Sequence, residues 1–157
     1  MNADEVIKYS KNTNPFDDIN VYLSKYEISS ELKPVISNVI IPKLTQKNND
    51  PFFNSMWLAI EKKFLVSVGS LIFKGSPDKN GEVEIGYGVN DEYQNRGYMT
   101  EAVEAICSAA FDTGKVKRII AETAIDNVPS FGVLIKNNFT KYSENEKFFY
   151  WEKLKNE

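Results

Sequence analysis

The residues whose types and spacing could do chemistry cluster between Gly81 and Ala110. The sharpest of them form the run Gln94-Asn95-Arg96-Gly97-Tyr98-Met99-Thr100. A helix start presents N–H groups with no intrahelical acceptor, together with the positive end of the helix dipole, so it draws phosphate oxygens. Gly97 lets backbone approach a ligand with no Cβ in the way. Arg96 brings a cation, and Thr100 a hydroxyl, to the same anion. The competing reading is a plain strand-to-helix turn that needs a glycine for its own geometry. Neither a G-x-G-x-x-G run nor a glycine loop ending in G-K-[ST] opens this helix, so dinucleotide and nucleoside-triphosphate sites are not supported.

Histidine is absent from the 157 residues, which removes histidine triads, histidine general bases and histidine metal ligands in one step. The single cysteine, Cys107, cannot form an intramolecular disulfide, and with no histidine a zinc site has almost no ligand set. Among apolar helical neighbours it reads as a small buried residue rather than a nucleophile. A hydrophobic share of 42% and a charged share of 26% describe a globular chain long enough for one domain with a substantial core. A net charge of −3 pools no positive face for nucleic acid. No apolar run is long enough to span a membrane. A cytoplasmic protein without a signal-like N-terminus is the expectation.

The elements that must position these residues follow from periodicity. Val83, Ile85, Tyr87 and Val89 alternate with Glu82, Glu84, Gly86 and Gly88, the period of a strand. From Met99 the period changes: Met99, Ala102, Val103, Ile106 and Ala110 form a helical stripe, with Gly114 placed to end it. The first turn of that helix is expected to be glycine-marked and free of side-chain acids.

Upstream, Val6, Ile7 and Tyr9 suggest a first strand, and Phe16 to Tyr26 an amphipathic helix. Leu32, Val35, Ile36, Val39 and Ile40 predict a second helix, capped by Ser30 and ending before Pro42. Residues 45–51 read as a loop. Met56 to Glu61 and Phe64 to Phe73 read as a hairpin about Lys62-Lys63. Downstream, Arg118 to Ile125 is a strand. Asp126-Asn127 caps a short helix whose apolar face is Phe131, Leu134 and Ile135. Phe139 to Tyr142 and Phe148 to Leu154 close the chain as strands; the aromatic run Phe148-Phe149-Tyr150-Trp151 reads as sheet packing. Strands 83–89 and 118–125, joined through the main helix, should be parallel neighbours in an α+β fold.

Gly81–Ala110 resembles the acetyl-coenzyme A motif of the GNAT superfamily of N-acetyltransferases, in which Gln94 to Met99 fill the pattern Q/R-x-x-G-x-G/A. Met99 departs from the small final residue. Ile125-Asp126-Asn127-Val128-Pro129-Ser130 through Lys136-Asn137-Asn138-Phe139 resembles the family's N-x-x-S…E-K-x-G-F segment, and Ser70 to Val89 is similar to the branch of ribosomal-protein-alanine acetyltransferases. The resemblance covers about residues 57–154.

That resemblance implies a splayed mixed sheet: antiparallel N-terminal strands, a parallel central pair, helices on both faces, and coenzyme A wedged between strands 83–89 and 118–125. The pyrophosphate would rest on amides of Asn95 to Met99, with Gln94 and Thr100 in the same cofactor-binding set, and the pantetheine arm on backbone of Tyr87, Gly88 and Val89. Asn127 would bond the pantetheine region, Ser130 would lie near the sulfur, and Lys136 would belong to the same cofactor side. Residues 1–50 would form a helical cap over the acceptor and 52–157 the acetyl-coenzyme A core of a single domain spanning 1–157.

Acetyl transfer to an amine requires a base, because the amine is protonated at neutral pH. Without histidine, carboxylates are the natural bases. Glu84 aligns with the strand glutamate that serves in some members, and Glu82 shares its face; both could equally be exposed residues pairing with Lys74 or Lys79. For the acid, the helix tyrosine of many members is replaced by Leu134, leaving Ser130 as the polar candidate. Ile135 and Asn138 replace the usual Glu and Gly, and Asn tolerates the left-handed helix stop. The expectation is an acetyl-coenzyme A-dependent N-acetyltransferase using no metal, its acceptor an amine on a small molecule or a protein N-terminus. Nucleic acid and membrane are not expected as partners, and strands 139–154 could pair two subunits. The alternative is an acyl-coenzyme A-binding protein of the same fold without turnover.

Overall fold

Strand β4 (Glu82–Val89) is the hinge of the sheet, and the alternation of its side chains explains why. Val83 and Ile85 are buried under helix α5 (Tyr98–Asp112), while Glu82 and Glu84 lie on the opposite, half-exposed face. The computed structural model describes residues 1, 3–11, 22–23, 32–46 and 50–155. Strands β2 (Met56–Glu61), β3 (Val66–Phe73) and β4 form an antiparallel meander. Beyond α5, β5 (Arg118–Ala124) returns parallel to β4, and helix α6 (Val128–Lys136) leads to the antiparallel strands β6 (Thr140–Glu144) and β7 (Phe148–Leu154). The order β3-β4-β5-β7-β6, with β2 on the outer edge of β3, is the expected mixed sheet. No helix among the described residues is long and apolar enough to cross a membrane.

The parallel pair is short. Register partners run from Glu82 opposite Arg118 only to Glu84 opposite Ile120, although both strands continue for several residues. Past that point β4 and β5 part and open a wedge. Helices cover both faces of the sheet. Leu71 and Phe73 join the core beneath α5, whereas Ile72 between them faces Val6, Ile36, Ile40 and Met56.

Several elements differ from the sequence expectation. Residues 3–10 form helix α1, not a strand: three apolar residues cannot separate a period of 2 from 3.6, but Asp4 and Glu5 in the first turn and Lys8 in the last suit a helix dipole. Val6 is fully buried there.

Of the helix expected over 16–26, Tyr22–Leu23 forms a short strand, β1, parallel to β3, and the rest lies outside the described residues. β1 occupies the edge that opens where the β4 pairing stops at Gly69. The next helix runs α2 (Leu32–Val35), a π-helical turn (Ile36–Ile40), then α3 (Ile41–Leu44), so Pro42 lies inside it. The π turn resets the hydrogen-bond register and puts Pro42 in a new first turn, where its missing N–H costs nothing. The Ser30 cap lies outside the described residues.

Residues 51–54 form a further short helix, α4 (Pro51–Asn54), capped by Asp50, whose Oδ1 accepts from Phe52 N at 3.1 Å. β3 starts at Val66 rather than Phe64, because the Glu61 carboxylate takes the N–H groups of Lys63 (3.0 Å) and Phe64 (2.8 Å) into the turn.

Candidate active site

The open end of the wedge is a cleft of about 390 Å³ between the start of α5 and one face of α6. Its floor is the turn that follows β4. A 3₁₀ turn (Asp91–Tyr93) leads to Asn95 at φ 59° and Gly97 at φ 84°, both left-handed, with Arg96 between them. Such alternation aims successive amides at a common point. Asn tolerates the conformation, and a Cβ on Gly97 would meet nothing within 4 Å, so it is the backbone angle that requires glycine there. Gly97 caps α5 without a side-chain bond, and among the described residues the N–H groups of Tyr98, Met99 and Thr100 have no backbone acceptor. Gln94 is tied into the turn, its Nε2 donating to Asp91 Oδ1 at 2.8 Å.

The departure at Met99 has a structural counterpart. Met99 is buried, and a Cβ on Gly69 of β3 would stand 2.8 Å from Met99 Cε and 2.4 Å from the Gly88 carbonyl oxygen. The large residue at 99 occupies the room left by a missing side chain at 69. The acid-free first turn is a correction: Glu101 belongs to it, facing outward beside Lys62 in a neighbouring groove.

The opposite wall is α6. Asn127 caps it, its Oδ1 accepting from Ser130 N at 3.3 Å. Pro129, Gly132, Val133 and Lys136 face the cleft. Those four fall at i, i+3, i+4 and i+7, a signal present in the sequence but overshadowed by the more apolar Phe131, Leu134 and Ile135. Leu134 is fully buried, whereas Ile135 is 59% exposed and does not belong to the apolar face expected of it. Tyr93 and Val128 also line the cleft and were not anticipated.

α6 ends in a Schellman motif: Phe139 N donates to Leu134 O, Asn138 N to Ile135 O, and Asn138 takes φ 60°. Beside it the buried Asn137 donates through Nδ2 to Thr100 O (3.1 Å) and Val133 O (2.9 Å), joining the end of α6 to the start of α5.

Of the expected cofactor residues, Val89, Gln94, Asn95, Gly97, Tyr98, Met99, Thr100 and Lys136 meet in this cleft. Arg96 stands outside it, 5.6 Å from the Tyr93 ring. Gly88 is exposed with open space where a Cβ would be. Tyr87 and Ser130 meet each other across the wedge: the phenol oxygen lies 2.9 Å from Ser130 Oγ and 3.1 Å from Ser130 O. Burial pushes that phenol up to about 12.

Glu82 and Glu84 lie at the closed end of the wedge, away from the cleft lining. Glu82 accepts from Arg118 Nη1 at 2.6 Å, and Arg118 also holds Glu152 at 2.7 Å while stacking on Tyr142. Glu84 pairs with the half-exposed Lys74. Cys107 is fully buried on the inner face of α5, and burial pushes its thiol up to about 12, so it stays protonated and inert at neutral pH.

Comparison with known proteins agrees with this fold. The profile of the family described as the acetyltransferase (GNAT) domain matches residues 2–140. The uncharacterized N-acetyltransferase YjdG of Bacillus subtilis (strain 168) is 32% identical over 108 residues, 69% of this chain and 64% of that protein. The ribosomal-protein-serine acetyltransferase of Escherichia coli (strain K12) is 26% identical over 72 residues, 46% of this chain and 40% of that protein. The chain thus spans less than two thirds of either relative. The crystal structure of a GNAT-family acetyltransferase from Bacillus anthracis superposes with a TM-score of 0.63 at 21% identity, covering 97% of this chain and 88% of that one. The match over residues 2–140 takes in both walls of the cleft, and it makes this protein a member of the GNAT acetyltransferase family.

Proposed function

We propose that the chain is an acetyl-coenzyme A-dependent N-acetyltransferase that moves the acetyl group to a primary amine by direct transfer in a ternary complex. The observation that carries the reading is the cradle at the start of α5. Tyr98, Met99 and Thr100, whose helix-start amides have no backbone acceptor among the described residues, line a cleft whose opposite wall carries Lys136. A pyrophosphate fits that donor set, and the apolar wall of Pro129, Gly132 and Val133 suits a pantetheine arm. When bound, the donor supplies an activated acetyl thioester and a thiolate leaving group.

The chain's own residues do the rest. Amides from Asn95 to Thr100 and Lys136 hold the phosphates, and the unpaired edge of β4 from Tyr87 to Val89 orients the arm. Glu84 accepts the proton of the acceptor amine, through water across the distance to the cleft. Of the two strand glutamates it is the more available: its one ion-pair partner, Lys74, is a half-exposed side chain, whereas Glu82 shares Arg118 with Glu152. Ser130 presents a hydroxyl to the sulfur. Residues 1–50 cap the acceptor side of one domain working in the cytoplasm, and a protein N-terminus, a polyamine or another small amine would serve as acceptor.

A second reading, an acyl-coenzyme A-binding protein of the same fold without turnover, draws on two observations: both glutamates are ion-paired, and the fully buried Leu134 offers α6 no acid. The two separate in a paired experiment. Acetyl-coenzyme A should raise the melting temperature in both cases, but only an enzyme releases free thiol when offered a panel of amines and N-terminal peptides. Binding without thiol release across the panel favours the second reading, and absence of any thermal shift removes both.

A further inference from the structure

One polar contact joins the two walls of the wedge and takes no part in the cradle. Tyr87 sends its phenol from β4 to the first turn of α6, where it meets both the hydroxyl and the carbonyl of Ser130, 43 residues away in sequence. A phenol has one proton to give; Ser130 offers two acceptor atoms and one proton of its own. Two arrangements satisfy the trio. In the first, Tyr87 donates to the Ser130 carbonyl, which can only accept, and the serine hydroxyl donates back to the phenol oxygen. In the second, Tyr87 donates to Oγ and the serine proton is free to point elsewhere. They differ by rotation about two C–O bonds, with no heavy-atom movement.

We propose that Tyr87 is a positioning residue that directs the Ser130 hydroxyl, keeping it in reserve until a sulfur atom arrives to accept a hydrogen bond from it. This rests on the reading of Ser130 as the group nearest the donor's sulfur. Left alone, a serine in a first helical turn bonds to nearby backbone. Here the phenol competes for that hydroxyl and holds it on the wedge side. A thiolate nearby favours the second arrangement, since a hydrogen bond to an anion is stronger than one to a neutral oxygen, and the phenol behind Oγ strengthens it further. No proton leaves Tyr87 and no bond to it is made or broken. With its phenol held at about 12, Tyr87 remains a donor at every pH where acetyl transfer is measured.

The test compares Tyr87→Phe, Ser130→Ala and the double variant, with coenzyme A affinity from calorimetry and the transfer step from single-turnover kinetics. Each single variant should slow transfer about tenfold, the double variant no more than the slower single, and affinity should stay within about twofold. A mere clamp between β4 and α6 would instead weaken binding, spare the transfer step and combine additively with Ser130→Ala.

A second readout needs no turnover and survives if Tyr87→Phe fails to fold. 3-Fluorotyrosine at position 87 keeps the ring's shape, and its fluorine resonance should move on adding coenzyme A in the native background and stay fixed in Ser130→Ala. A native transfer rate in folded Tyr87→Phe, additive losses, or a resonance indifferent to the serine hydroxyl overturns the proposal while native binding and thiol release persist. Loss of those native activities as well would instead overturn the functional reading, and this proposal with it.

Discussion

The two ends of β4 are built on different principles. At its far end the site is made of backbone: left-handed Asn95 and Gly97 turn the chain so that amides of α5 face the cleft. At its near end the proposed chemistry depends on side chains whose neighbours come from outside the strand, Lys74 on Glu84 and Arg118 on Glu82. A backbone cradle is set by local conformation and needs few particular side chains. A carboxylate is a base or a structural anchor according to its partners, and of these the sequence pointed to Lys74 but not to Arg118. The two glutamates, two residues apart on one face, show this: one is fixed in a network of two carboxylates, an arginine and an aromatic ring, the other paired with one surface lysine.

The largest expected effect tests that division. Glu84→Gln should lower kcat about a hundredfold while leaving coenzyme A affinity unchanged, since a general base acts in the transfer step alone. Glu82→Gln should do the reverse: little loss of kcat, and a lower melting temperature, because Arg118 loses one of its two carboxylates. Steady-state kinetics beside calorimetry and thermal unfolding decide it. Equal kcat for Glu84→Gln and native protein would place the base elsewhere.

Gly97→Val tests the far end. A β-branched residue at φ 84° costs about 1–3 kcal/mol if the backbone stays, and if the backbone relaxes the amides turn away. Coenzyme A affinity should fall on the order of tenfold to a hundredfold, with stability reduced by denaturant titration. The amines' contribution to catalysis should be untouched once donor is saturating.

What the sequence made legible divides along the same line. The strand, the turn and α5 were readable because period, glycine placement and helix capping are local properties. The segment 3–10 was not, since three apolar residues fit either period, and neither was the continuation through Pro42, which depends on a π turn. Long-range pairings were invisible: Gly69 under Met99, Asn137 on the Thr100 carbonyl, Tyr87 on Ser130. The first explains the large residue at 99 only after the fold brings the partners together. The cleft-facing side of α6 lay in between, visible as Pro129, Gly132, Val133 and Lys136 at helical spacing yet with no apolar stripe to announce it.

A smaller effect belongs to Lys136. It lines the cleft as an exposed cation, where attraction to phosphate is screened by salt and worth about 1 kcal/mol or less. Lys136→Ala should weaken coenzyme A about fivefold at low salt, and the difference should shrink as salt is raised. A loss as large as that of Gly97→Val would mean that the cradle depends on side-chain charge rather than on backbone.

The smallest effect at neutral pH is expected at Cys107, far from either end of β4 in role although buried against the same core. Cys107→Ala should leave turnover unchanged. Its influence appears only in alkali. The folded protein keeps the thiol protonated up to about 12, whereas the unfolded chain releases that proton from 9.0 upward. Between those values the unfolded state binds fewer protons, so stability is full below pH 9.0 and falls as pH rises through the window. Tyr87 adds the same sign from 10.0 upward. Chemical unfolding across this range should therefore show a shallower decline in Cys107→Ala than in native protein, beside a constant offset of about 1 kcal/mol for the lost packing. Parallel declines would mean that the thiol ionises in the folded state as it does in the unfolded one, and that it is less secluded from solvent than its position on the inner face of α5 requires.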